Sequence, residues 1–423
     1  MIRTSLQLRG SFLAAALALG VVGGVAGGAV SAQAASGPKF SPAFAAAGGP
    51  FQTELDKAIK APTAEAIAAL KPKLDAVIAA ASTPDDKFNA GNFAIKLGSL
   101  AKDDTITRKG VTLMLESGKA SPELAPKLHF YAGQFAAQAK EYDLARKELQ
   151  LAIDTGFPAA DALVTLAEAE FAAKQAPAGL IALTKAIEAN KAANTAVPEG
   201  WYRRGMGATY ETNNYELAVR LATMLVKDYP TKENWALSIA VIRDLGKLPS
   251  QDTFDLLRLM AATNSFAEER DYVEFVQTAD ARRNPAEVKA IIDRGAAAGV
   301  VNATKPFFAD AMRIATARIA PDKAALPGWE RDARAPAATA ATVIAAADSF
   351  LSYGDAAKAA DLYKIALTKA GADKNVVLTR LGIAQINGAD YAGAQASLTQ
   401  VEGVRKAMAQ LWIAFAAQKA AGK

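Results

Sequence analysis

The chain has 423 residues, 51% of them hydrophobic, with no cysteine, one histidine and a formal net charge of +5. The lack of cysteine excludes disulfides, thiolate metal sites and thiol nucleophiles, and one imidazole cannot assemble a multi-histidine metal centre. The charge falls to +3 when Arg3 and Arg9 are set aside with the leader, so there is no electrostatic case for nucleic acid.

Residues 1–34 read as an export signal. Arg3 and Arg9 give a positive start, Phe12 to Val30 is apolar, and Ala32-Gln33-Ala34 is a small-x-small cleavage site. The apolar run approaches the length of a spanning helix, but five glycines between Gly20 and Gly28 weaken a permanent one. Cleavage after Ala34 predicts a periplasmic or secreted protein with no transmembrane span. The Ala-rich composition and the signal type point to a bacterial source. Residues 35–50 mix Gly, Pro, Ser and Ala and predict a flexible leader.

Helical patterning starts near Phe51, where Leu55, Ile59, Ile67, Leu70, Leu74 and Ile78 fall at helical spacing. A first hairpin is expected from Asp86 to Gly118. Within it, Lys102 to Gly118 (KDDTITRKGVTLMLESG) aligns without a gap with Lys140 to Gly156 (KEYDLARKELQLAIDTG), 38 residues on. The closing glycines predict left-handed helix C-caps. Ala152 and Ala186 stand 34 apart, and an insertion at Lys191–Pro198 precedes the clearest hairpin, Gly200–Pro230. Looser helical pairs follow at Trp235–Met260 and Phe266–Arg294, then a helix at Thr304–Ile319. Residues 321–337 collect prolines, a glycine and mixed charge and predict an irregular connection. It would divide an N-terminal stack (51–320) from a C-terminal one (338–423), in which Ala359 and Ala394 stand 35 apart. Leu411–Lys423 predicts an amphipathic capping helix.

On these residues the chain resembles the tetratricopeptide-repeat family, whose 34-residue unit is a helical hairpin. Gly133, Tyr142, Ala145, Ala152 and Pro158 match one unit, and Tyr215, Ala218, Leu225 and Pro230 a second. Ala359, Tyr363 and Ala366 match a third, and Leu381, Gly382, Tyr391 and Ala394 a fourth. The match covers 120–230 and 338–402 well and the rest loosely. The resemblance implies an all-α, right-handed α-solenoid of roughly eight or nine hairpins that binds proteins or peptides in its concave groove.

No motif spells catalysis: G-x-S-x-G, H-E-x-x-H and the P-loop are absent. No enzyme activity, cofactor or metal is therefore expected. His129 has no flanking carboxylate motif and reads as structural. Gly205-Met206-Gly207 lies in a helical pattern and reads as close packing. The acidic pairs Asp85-Asp86, Asp103-Asp104 and Glu268-Glu269 fall at helix starts and read as caps. Arg203-Arg204 and Arg282-Arg283 are the more suggestive basic spots. Arg203 and Tyr210, seven apart on one helical face, are candidate groove residues, because a guanidinium beside a ring suits a carboxylate or a peptide. Phe130, Gln134, Glu168 and Phe171 fall at corresponding places on neighbouring first helices. The leading expectation is a non-enzymatic binding scaffold of the periplasm or cell envelope. A cell-wall-processing enzyme subunit and a self-assembling structural subunit are the alternatives.

Overall fold

The computed structural model describes residues 38–422, so the expected export signal lies outside the described residues. Among these residues there are twenty α-helices, one short 3-10 turn and no strand. The chain divides between Val197 and Pro198 into two compact units, at the insertion marked by the sequence and not at the expected 321–337 connection.

The first unit contains α1 (Pro42–Lys60), α2 (Ala64–Ala80), α3 (Pro84–Ala101), α4 (Asp104–Glu116), α5 (Ala125–Gln138), α6 (Tyr142–Asp154), α7 (Ala159–Ala172) and α8 (Ala176–Ala192). Residues 42–50 are helix, not flexible leader. The Ser41 Oγ accepts from the Phe44 N–H, and Pro42 sits at a first helical position where a missing N–H is harmless. Phe44, Gly48, Phe51 and Leu55 then line one buried face, which outweighs the turn preference of Gly and Pro. Phe44 and Phe51 pack on Phe93 of α3, with ring centroids 6.4 and 5.5 Å apart.

The α3/α4 crossing is set by two glycines. A Cβ on Gly91 would stand 2.7 Å from the Gly110 carbonyl oxygen, and one on Gly110 would stand 2.6 Å from that of Gly91. Backbone meets backbone there, so no larger residue fits without separating the pair. The acidic pairs mark helix starts as expected. Asp86, wholly buried, accepts the N–H groups of Ser41, Ser82 and Thr83, while Asp103 accepts those of Thr105 and Ile106. Glu268 caps a later helix. Burial pushes the Asp86 carboxyl up, but the hydrogen bonds from Ser41, Thr83 and Ser82 outweigh it and hold it at about 2. Gly118 and Gly156, the aligned repeat ends, both take positive φ (64° and 105°), as C-cap glycines should.

The second unit contains α9 (Glu199–Thr212), α10 (Tyr215–Asp228), α11 (Lys232–Gly246), α12 (Ser250–Ala262), α13 (Glu269–Ala279) and α14 (Pro285–Ala297). It continues through α15 (Pro306–Arg334), α16 (Ala340–Ser352), α17 (Ala356–Leu367), α18 (Lys374–Asn387), α19 (Tyr391–Leu398) and α20 (Lys406–Ala420).

Two expectations are overturned here. Residues 321–334 are not an irregular connection: α15 runs through both Pro321 and Pro327. Each proline removes a helical donor and crowds the preceding turn. Tertiary contacts override that local cost. Asp322 accepts from the Tyr353 hydroxyl and from Arg318 Nη2, both at 3.0 Å, while Leu326, Trp329 and Ala333 pack into the unit's core. The C-terminal helix is also not an amphipathic cap. Ala407, Met408, Ala409, Leu411, Trp412, Ala414, Phe415 and Ala416 of α20 are all buried, which leaves no solvated face over most of its length. Phe415 meets Trp235 of α11 edge-on, Trp412 Nε1 donates to the Asp255 carbonyl of α12, and Gln418 Nε2 donates to the Val226 carbonyl of α10. The unit therefore closes on itself through its last helix.

Candidate functional site

The residues marked from the sequence as repeat packing lie mostly at helix crossings. Ala145, Ala152, Ala218, Leu225, Ala359, Tyr363 and Ala394 are wholly buried. A Cβ on Gly133 would stand 2.6 Å from Leu149 Cγ, and one on Gly382 would overlap Leu398. Tyr142, Tyr215 and Tyr391 are half-buried, and Pro230 is exposed.

The six proposed groove residues are placed differently. Phe130, Gln134, Glu168 and Phe171 lie in the first unit, and Arg203 and Tyr210 in the second. Phe130 is buried and stacked on Phe157, centroids 4.1 Å apart, so it is core and not groove lining. Gln134, Glu168 and Phe171 are half-buried, and the Phe171 ring covers Gly179, where a Cβ would stand 2.5 Å from Cδ1. Arg203 Nε donates to Glu199 Oε1 at 2.8 Å, and the same oxygen accepts from Asn234 Nδ2 of α11. The Tyr210 hydroxyl donates to Asp244 Oδ2 at 3.3 Å. Burial and then the Asp244 carboxylate push that phenol up to about 12.

Tyr210–Asp244 and Glu199–Asn234 each span one repeat, 34 and 35 residues. The same ladder recurs at Lys109–Asp75, Arg243–Glu274 and Arg380–Asp348. Polar groups that resembled ligand contacts therefore stitch one hairpin to the next. His129 Nδ1 lies 2.7 Å from Glu148 Oε2 on the following helix, which places the one imidazole in a structural pair. Among the described residues no three His, Cys, Asp or Glu side chains are grouped to hold a metal.

One opening of the second unit went unmarked in the sequence. A groove of about 710 Å³ runs between α10 and α20 and under the turn Gly403–Arg405. Val219, Met224, Val404, Ala407 and Ile413 supply its apolar surface, and Val404 is 63% exposed. Arg220, Lys227 and Lys406 line it against one acid, Glu216. Its size lies within the range of ligand sites. No local signal could have revealed it, because α10 and α20 meet only when α20 folds back across nearly two hundred residues.

Beneath α20 lies a buried charge network centred on Asp255, which is 0% exposed. Its carboxylate accepts from Arg258 Nη1 at 2.8 Å, Arg380 Nε at 3.1 Å and Arg405 Nη1 at 2.9 Å. Arg258 also forms a two-point pair with Glu287, at 2.9 and 2.6 Å. Arg380 Nη1 reaches Asp348 Oδ2 at 2.8 Å, and the Tyr363 hydroxyl donates to the other oxygen. Arg405 Nη2 stands 2.5 Å from Asp252 Oδ1 as a charge contact without hydrogen-bond alignment. Burial alone would raise the Asp255 carboxyl; Arg380, Arg258 and Arg405 outweigh it and hold it at about 2. Beside this network is a second cavity of about 350 Å³, lined in part by Arg258, Arg283 and Arg380.

No protein-family model matches the chain, and no curated protein matches it in sequence. Among solved structures it is similar to a chain in "Structure of Naa15/Naa10 bound to HypK-THB", at 14% identity and a TM-score of 0.39. That alignment covers 83% of this chain and 63% of the other, less than two thirds of its length. It is also similar to a chain in "Crystal structure of APC/C hetero-tetramer Cut9-Hcn1", at 12% identity and a TM-score of 0.24, over 87% of this chain and 67% of that one.

Proposed function

We propose that this protein is a non-enzymatic, exported scaffold of right-handed helical-hairpin repeats that binds a protein or peptide segment through the α10/α20 groove. The observation that carries this reading is the groove's make-up: exposed Val404 and half-buried Met224 and Ile413 beside Arg220, Lys227 and Lys406. An apolar patch with a basic rim suits a segment whose apolar side chains are flanked by carboxylates. A preformed helical wall spends little ordering entropy on binding. In this reading Tyr210 ties α9 to α11, Arg203 braces Glu199 within α9, and neither takes a direct part in binding. The compartment, a bacterial periplasm or cell envelope, rests on the signal-like residues 1–34.

The Lys227→Glu/Lys406→Glu double variant reverses the rim at two exposed positions. Immobilised wild-type protein should retain partners from an envelope extract that the double variant loses, with both proteins melting alike. Retention of the same partners by the variant would remove the groove from the account. N-terminal sequencing of the exported protein should begin at Ala35; an intact, unexported chain would end the compartment assignment.

A further inference from the structure

The second cavity has a different character from the groove. Its wall joins the first turn of α12, at Ser250 and Gln251, to the start of α14, at Asn284. Neither helix start is capped by a side chain. Pro249 precedes α12 and has nothing to offer, while Asn284 directs its Nδ2 to the Ala279 carbonyl. The first-turn N–H groups of α12, with the positive end of its dipole, therefore edge the cavity, while α14 brings only its N-cap Asn284, because Pro285 has no N–H. The side chains add to this. Arg380 is only 7% exposed and spends Nε on Asp255 and Nη1 on Asp348, so its Nη2 donor has no acceptor among the described residues. Arg283 lies at the same wall with an exposed guanidinium that no carboxylate engages. The one acid on the wall, Asp348, is already neutralised by Arg380 and hydrogen-bonded by Tyr363. The acids behind it, Asp255 and Glu287, are committed to Arg258.

We propose that this cavity binds the oxyanion of a small molecule, a phosphate or a carboxylate group. Arg283 and Arg380 Nη2 supply charged donors, and the open first turn of α12 supplies backbone N–H groups. About 350 Å³ admits a compact ligand, near the lower limit for small-molecule sites. The site is separate from the α10/α20 groove and does not depend on the scaffold reading.

The test is calorimetric titration of the full chain with inorganic phosphate and with acetate, against chloride at matched ionic strength. Saturable binding of either oxyanion is expected, and the tighter of the two identifies the natural ligand as a phosphoryl or a carboxylate compound. Arg283→Glu, at an exposed position, should weaken that binding about tenfold or more, the consequence of losing one charge-assisted hydrogen bond. Gln251→Glu places a fixed carboxylate in the first turn of α12, where the helix dipole favours it, and should abolish binding in a protein that melts no lower than wild type. Oxyanions that bind no better than chloride would overturn the proposal. So would unchanged affinity in both folded variants.

Discussion

Replacing Asp255 by Asn removes the charge that holds three arginines together and leaves the shape nearly unchanged. The carboxylate is wholly buried and accepts from Arg258, Arg380 and Arg405 at 2.8–3.1 Å. Those arginines are 6%, 7% and 2% exposed, so water cannot replace the lost partner. Breaking a buried ion pair from one side costs about 3–5 kcal/mol, because an uncompensated charge stays behind. Arg258 and Arg380 keep Glu287 and Asp348. Arg405 keeps Asp252 without good alignment, so it suffers most. For a unit of this size a loss of 3–5 kcal/mol lowers the melting temperature by roughly 6–20 °C. Circular dichroism at the helical band during heating measures it, with Asp104→Asn, an exposed residue of the first unit, as control. An Asp255→Asn protein that melts with wild type would show that the network does not hold the second unit together.

Three further outcomes follow from the same geometry. Asp86 and Asp255 both titrate at about 2 in the folded protein against an ordinary value of 3.8. A depressed carboxyl contributes stability above its unfolded pKa that is lost as pH falls through the folded one, so urea midpoints should drop between pH 4 and 2; a rise there would contradict the assignment. Truncation after Glu402 removes α20 and exposes the core around Trp235, so it should cause dye-binding apolar exposure and loss of cooperative melting in the second unit; a merely shortened but intact transition would restore the capping-helix reading. Arg203→Ala removes one partly exposed ion pair within α9 and Tyr210→Phe one partly exposed inter-repeat hydrogen bond, and each should cost about 1 kcal/mol or less without altering partner retention; loss of retention would return these residues to the binding site.

The hairpins could be read from the chain because their signals are local. Small residues at Ala145, Ala218, Ala359 and Ala394, and the aligned Gly118 and Gly156, are placed by sequence spacing alone, and each lies where that spacing puts it. The acidic pairs were legible as caps for the same reason. What failed depended on contacts far away in sequence. Pro321 and Pro327 read as breakers because Tyr353, which secures that turn through Asp322, lies about thirty residues on. The Ser36–Pro50 stretch read as flexible because its glycines and prolines hide a stripe that becomes core only against Phe93. Tyr210 looked like a ligand group because Asp244, which engages it, lies 34 residues on; Arg203 pairs locally with Glu199, and the distant partner there is Asn234, which ties Glu199 to α11. The groove and the Asp255 network were invisible, since both depend on α20 returning to α10 and α12.

The most direct test of the binding reading is a photo-crosslinking residue at Val404, in the α10/α20 groove, compared with one at Ile181, an equally open apolar position on α8 of the first unit. Irradiation in living cells should yield a discrete crosslinked protein species from position 404, absent from 181 and lost when Lys227 and Lys406 are reversed in charge. No adduct at 404, or the same adducts at both positions, would contradict the account.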